Sequence, residues 1–166
     1  VYAGRVSKEK GVSELIETFL DADLDNIILK IIGDGPILSD LKQKYHLSNI
    51  EFYGQRSNKE VLEIIKESKA VVTATKLYEG QPTLLCEAST LGVPSIFPKS
   101  GGISDFFPKN YRFSFEHLEY GGLKKKLKLL QDEKIRLTQG RENKNYIEKY
   151  LSEKTLIERF EKILNE

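Results

Sequence analysis

Five short β-rich runs alternate with segments of helical period along the first hundred residues, and few architectures tolerate that order. The runs are VYAG (1–4), IILKII (27–32), IEFYG (50–54), AVVTAT (70–75) and VPSIF (93–97), and apolar residues recur at helical spacing over 12–21, 37–46, 58–68 and 82–92. Strands joined through helices run parallel, and a parallel sheet needs cover on both sides. The pattern therefore predicts a doubly wound, Rossmann-like α/β domain with helices on both faces of a parallel sheet. Beyond residue 120 it changes to helices alone, over 121–132, 133–150 and 152–164. No repeat, linker or low-complexity tract interrupts it, so residues 1–166 are expected to form a single domain.

In such a sheet every loop that follows a strand leaves at the same carboxyl edge, where ligands bind. Those loops are 4–11, 33–36, 54–58, 76–82 and 99–102, and each contains glycine. A glycine-lined rim permits sharp turns and a close backbone approach to a ligand. With 26 basic and 25 acidic side chains the net charge is only +1, which gives no global attraction for nucleic acid or an anionic membrane. Any anion has to be held locally.

The stretch YEGQPTLLCEA (78–88) supplies a place to hold one. Pro82 suits the first position of a helix, because its missing N–H would be unsatisfied there anyway. The free amides of Thr83 and Leu84 and the positive end of the helix then make a phosphate cradle. Glu79 lies in the loop before the helix, and Glu87 lies about 7.5 Å further along its axis, sharing a polar sector with Thr83 and Thr90. Leu84, Leu85, Ala88 and Leu91 are expected on the apolar side. No Lys or Arg stands among these residues, so the two carboxylates are expected to accept ligand hydroxyls at the two ends of a sugar nucleotide. In the loop GRVSKEKG, Arg5 and Lys10 flank one turn and are placed to neutralise a diphosphate, Arg5 bidentately and Lys10 as a point charge. Lys8 of the same loop is read as solvated.

The ordered set of motifs resembles the nucleotide-binding half of the retaining glycosyltransferases of family 4, the group-1 transferases of GT-B architecture. The resemblance rests on Gly4, Arg5, Lys10 and Gly11, on GDGP (33–36), on YGQ (53–55), and on Glu79, Gly80, Pro82, Glu87 and Ala88 followed by LGVP (91–94). It implies that Arg5 and Lys10 contact the donor diphosphate, that Glu79 reaches the donor sugar and that Glu87 holds the ribose hydroxyls. Gly4, Gly80, Gln81, Pro82, Thr83 and Leu84 complete the donor site, and Gly33, Gly35, Gly54 and Arg56 line the base pocket. The implied catalytic residues are Glu79, Arg5 and Lys10. The implied donor is a nucleotide diphosphate sugar, a UDP-sugar before others, with no cofactor and no metal. Gln81 stands where the family often has an aromatic residue and Asp105 where it often has Glu.

The family also carries an acceptor domain ahead of this one. The chain starts without Met on a strand already under way, and it is expected to be the half that lacks that domain. Any membrane contact is then expected only through the missing half. Cys86 is the single cysteine and cannot form an internal disulfide, which points to a cytoplasmic protein, peripheral at most at the inner face of the plasma membrane. A sugar-nucleotide epimerase of the same fold and a non-catalytic nucleotide-binding module are the alternatives. A dinucleotide-dependent oxidoreductase is disfavoured, because GDGPIL has Leu38 where the third glycine of the fingerprint belongs. The DADLD run (21–25) is read as a solvated turn, His46 and His117 as isolated, Cys86 as a core residue, and LKKKLKLL (123–130) as the solvated face of a packed helix.

Overall fold

The computed structural model describes residues 1–164. Six strands, β1 (Tyr2–Ala3), β2 (Leu29–Ile32), β3 (Ile50–Gly54), β4 (Val71–Val72), β5 (Ser95–Lys99) and β6 (Ser114–Glu116), alternate with α1 (Val12–Ala22), α2 (Leu38–Lys44), α3 (Asn58–Lys66) and α4 (Thr83–Thr90). The chain then closes with α5 (Tyr120–Leu129), α6 (Glu133–Tyr150) and α7 (Glu153–Leu164). All strand pairings are parallel, in two ladders ordered β1-β2-β3 and β4-β5-β6. The ladders meet where the Val72 amide donates to the Val1 carbonyl at 2.8 Å. The spatial order is thus β3-β2-β1-β4-β5-β6, and the winding reverses between β1 and β4.

Helix α1 lies against α5, while α4 lies against α3 and α6. Both faces of the sheet are covered, as the alternation of elements predicts. The expected solvated face at 123–130 belongs to α5 and its C-cap: the helix buries Leu123 and Leu127, Leu130 is buried just beyond it, and Lys124 reaches Asp21 at 2.8 Å. That contact also absorbs the first carboxylate of the DADLD run, and Asp23 caps α1 in a left-handed turn. His46 is exposed. No helix among the described residues is long and apolar enough to cross a membrane.

Two details of the fold differ from expectation. Strand β6 was not anticipated: it adds only three residues beside β5 and anchors them with the buried Phe113 and Phe115. Helix α4 starts one residue later than expected, because Pro82 has ψ 76°, outside the helical range. Pro82 is therefore the N-cap, and its carbonyl accepts the Cys86 amide at 3.0 Å. The buried stripe of α4 is Leu85, Cys86, Ala88 and Ser89, while Leu84 is only half-buried and Leu91 is exposed at the helix end. Contact with α6 sets this rotation: Asn143 donates to the buried Ser89 hydroxyl at 2.5 Å.

Cys86 is buried, as expected for a core residue. Burial, with the Glu87 carboxylate nearby, pushes its thiol up to about 11. At pH 8 only about a thousandth is then thiolate, the reactive form. A disulfide reagent is expected to label Cys86 slowly in the folded protein and promptly in urea. Immediate stoichiometric labelling of the native chain would contradict this placement.

Candidate functional site

Because the winding reverses between β1 and β4, the loops after these two strands diverge and leave a crevice at the carboxyl edge. A cavity of about 190 Å³ fills it. Its walls come from β1 and the turn after it as far as Arg5, from β4 and the segment after it with Thr73 and Thr75, and from residues 81–85 around the start of α4; Lys10 and Glu79 close the rim. The loops after β1 and β4, about 70 residues apart in sequence, are thus brought to one site by the topology.

At its rim stands the arrangement that the sequence concealed. Lys10 Nζ donates to Glu79 Oε1 at 2.5 Å, and the Thr75 hydroxyl donates to the same oxygen at 3.0 Å. Glu79 therefore has a cationic partner, contrary to the expectation drawn from its own stretch, and that partner comes from the loop after β1. The side chains of Lys10 and Glu79 are 29% and 31% exposed, so the pair is open to an incoming ligand. The backbone of Glu79 is held from behind. Gly102 donates to its carbonyl at 2.9 Å, and a Cβ on Gly101, at φ 58°, would come within 2.2 Å of that carbonyl oxygen.

The helix start is also narrower as an anion site than expected. The Thr83 amide donates to the Gln81 carbonyl at 3.1 Å and is not free. The amides of Leu84 and Leu85 have no acceptor among the described residues, so the orphan donors of α4 lie one residue deeper.

A second cavity of about 310 Å³ adjoins the first and shares Ala3, Gly4 and Arg5 with it. Gly33, Asp34, Gln55, Arg56 and Val61 line its far side. The loops here lie on one another: Gly33 donates to Gly54 at 2.8 Å, Gly4 to Ile32 at 3.0 Å and Val6 to Asp34 at 2.9 Å. Gly33 has φ 131°, and a Cβ there would fall 1.9 Å from the Gly4 carbonyl oxygen. Loop-on-loop packing demands this glycine whether or not a ligand is present. Arg5, between the two cavities, is exposed and makes no salt bridge among the described residues. Its carbonyl accepts the phenol of the buried Tyr2 at 2.7 Å. Burial first, then Glu79 and Glu9, raise the Tyr2 phenol above its usual range, so it remains a neutral donor.

Of the residues singled out from sequence, Gly4, Arg5, Lys10, Glu79, Gln81, Pro82, Thr83 and Leu84 share the first cavity, and Gly33 and Arg56 the second. Gly35, Gly54, Gly80 and Glu87 line neither. Glu87 is half-buried on α4 and accepts from Asn58 at 3.4 Å, with no salt bridge among the described residues. Lys8 is exposed, as expected. Sequence reasoning missed Thr75 and Tyr2, while Asp34 and Gln55 belong to the GDGP and YGQ loops that it had marked. For Thr75 a signal was available, since it is the last residue of AVVTAT and so sits at the carboxyl edge. The His117 ring packs on exposed Tyr78, with centroids 5.7 Å apart.

Residues 1–150 match the model of the family described as glycosyl transferases group 1. The chain is 36% identical over 110 residues to the teichuronic acid biosynthesis glycosyltransferase TuaC of Bacillus subtilis, covering 66% of this chain and 27% of that protein. It is 28% identical over 162 residues to a glycosyltransferase of Methanocaldococcus jannaschii, covering 95% of this chain and 45% of that one. In fold it superposes on HepE of Anabaena, crystallised with UDP, with a TM-score of 0.84 at 17% identity, over 99% of this chain and 47% of HepE. The chain thus spans between about a quarter and a half of the length of these proteins.

Proposed function

The chain belongs to the group 1 glycosyl transferases, and from that membership we propose that it is the donor-binding, C-terminal half of a retaining GT-B glycosyltransferase of family 4. It holds a nucleotide diphosphate sugar, with UDP as the nucleotide, while a preceding domain of the same polypeptide holds the acceptor. The observation that carries this reading is the pair of adjoining cavities that meet at Arg5, with Lys10 and Glu79 at one end and Gly33 and Arg56 at the other. A base in the second cavity and a sugar beside Glu79 put the diphosphate between them, against Arg5, Lys10 and the free amides of α4. HepE, similar in fold, was crystallised with UDP.

In this reading the protein's contribution to transfer is electrostatic. Negative charge that develops on the departing diphosphate meets Arg5, Lys10 and the positive end of α4 already in place, so no reorganisation is needed during the reaction. Glu79 orients the donor sugar, and Glu87, beside Asn58, receives the ribose hydroxyls. The reading needs no metal, and DADLD, with Asp21 on Lys124, is not assigned one.

Calorimetric titration with UDP and UDP-sugars, with and without EDTA, tests the proposal. Binding that persists in EDTA is expected, and binding abolished by EDTA would remove the metal-free reading. Glu87→Ala is expected to weaken UDP itself by about tenfold, the scale of a hydrogen bond to a charged group. Unchanged UDP affinity in this variant would remove the ribose assignment.

A further inference from the structure

Thr75 is 2% exposed and lines the first cavity, yet no motif of the chain includes it. Its hydroxyl is doubly engaged. Oγ1 accepts the Leu77 amide at 3.2 Å, which folds the loop after β4 back over it. The hydroxyl hydrogen is thereby directed away from the backbone and is donated to Glu79 Oε1 at 3.0 Å. Lys10 donates to that same oxygen. Oε2 makes no hydrogen bond among the described residues and is not one of the buried atoms left without a partner, and Glu79 lines the cavity.

We propose that Thr75 is a positioning residue for sugar recognition: by tying Glu79 Oε1, it leaves Oε2 as the acceptor presented to the hydroxyls of the donor sugar. This rests on the donor-binding reading given above. A glutamate has three rotatable side-chain bonds, and one flexible cation does not fix a carboxylate plane. Lys10 swings with its four-carbon stem, and a diphosphate competes for it. Thr75 is different in kind. It is β-branched and stiff at χ1, buried, and locked by the Leu77 amide. Even when Lys10 turns to the diphosphate, Thr75 keeps Oε1 occupied and Oε2 aimed outward. It touches no ligand itself and acts only through Glu79.

The test is the ratio of the dissociation constants for UDP-glucose and UDP, measured by calorimetry on this chain and on Thr75→Val, Thr75→Ser and Glu79→Gln. The parallel titrations use UDP-galactose and UDP-N-acetylglucosamine. For each UDP-sugar that binds, Thr75→Val is expected to raise the ratio about tenfold while leaving the UDP constant within about twofold. Thr75→Ser, which keeps the hydroxyl, is expected to restore the ratio. A merely structural role for Thr75 would weaken UDP and UDP-sugar together, because the loop it folds leads into α4, and that result would overturn the proposal. So would an unchanged ratio in Thr75→Val beside a raised ratio in Glu79→Gln, which leaves the donor-binding reading intact. If the unmodified chain binds neither UDP nor any of the three sugars, the donor-binding reading falls and this assignment falls with it.

Discussion

Gly33→Ala is expected to lower the stability of the fold by about 2 to 6 kcal/mol, because two separate costs fall on one residue. The first is backbone strain. At φ 131° an L side chain is strained whatever the space around it, at about 1 to 3 kcal/mol. The second is steric. The new Cβ would lie 1.9 Å from the Gly4 carbonyl oxygen, a backbone atom that cannot turn aside, so the loops after β1 and β2 must part at the further cost of an overpacked core. Parting them also breaks the bonds from Gly4 to Ile32 and from Val6 to Asp34, which align the two cavities. Since domains are typically stable by only about 5 to 15 kcal/mol, the variant should unfold at a clearly lower urea concentration. Gly121→Ala is the control: it lies near the start of α5, its Cβ would meet nothing within 4 Å, and alanine there should stabilise by about 0.5 to 1 kcal/mol. Equal urea midpoints for the unmodified protein and Gly33→Ala would show that the two loops are not held together as described.

Much of this architecture was legible in the sequence because its signals are local. The strand runs and the helical segments each carry their own periodicity, and a parallel sheet with glycine loops at one edge follows from their alternation. Strand β6 escaped because three residues, Ser114–Glu116, are too few to show a period. The inward face of α4 escaped for a different reason. Ser89 reads as polar surface until Asn143, 54 residues away, is brought against it.

The site divides in the same way. That Arg5, Lys10, Glu79 and the start of α4 share a rim was readable from the rule that loops after parallel strands leave at one edge. That Lys10 and Glu79 pair was not, since 69 residues separate them and nothing in either loop demands the other. Two separate expectations, a cation for a diphosphate and a carboxylate for a sugar, thus concealed the interaction between the two side chains. The offset between Pro82 and Thr83 is of the same kind: the sequence marks the helix start, but the ψ of Pro82 decides which amides remain free.

The Lys10–Glu79 pair leads to the other large effect, which is non-additive. Arg5→Ala and Lys10→Ala are each expected to weaken UDP by about 1.5 to 3 kcal/mol, between about tenfold and a hundredfold, as for a charge-assisted contact. Exposed Lys8 serves as the control, and Lys8→Ala should change little. Arg5 makes no salt bridge among the described residues, so its loss is the loss of one contact. Lys10 is bonded to Glu79, and removing it also leaves the Glu79 carboxylate unneutralised beside the diphosphate. Lys10→Ala should therefore be the costlier of the two. Glu79→Gln should bind UDP at least as tightly as the unmodified protein, because it removes that repulsion and releases Lys10 to the phosphates, while it loses discrimination for the sugar. In the double variant, Glu79→Gln should recover part of the UDP affinity lost by Lys10→Ala, which calorimetry on the four proteins measures as a coupling energy. Strict additivity would mean that the two side chains act independently once the nucleotide is bound. Weaker UDP binding by Glu79→Gln would mean that the carboxylate helps to hold the nucleotide, and would remove its assignment to the sugar.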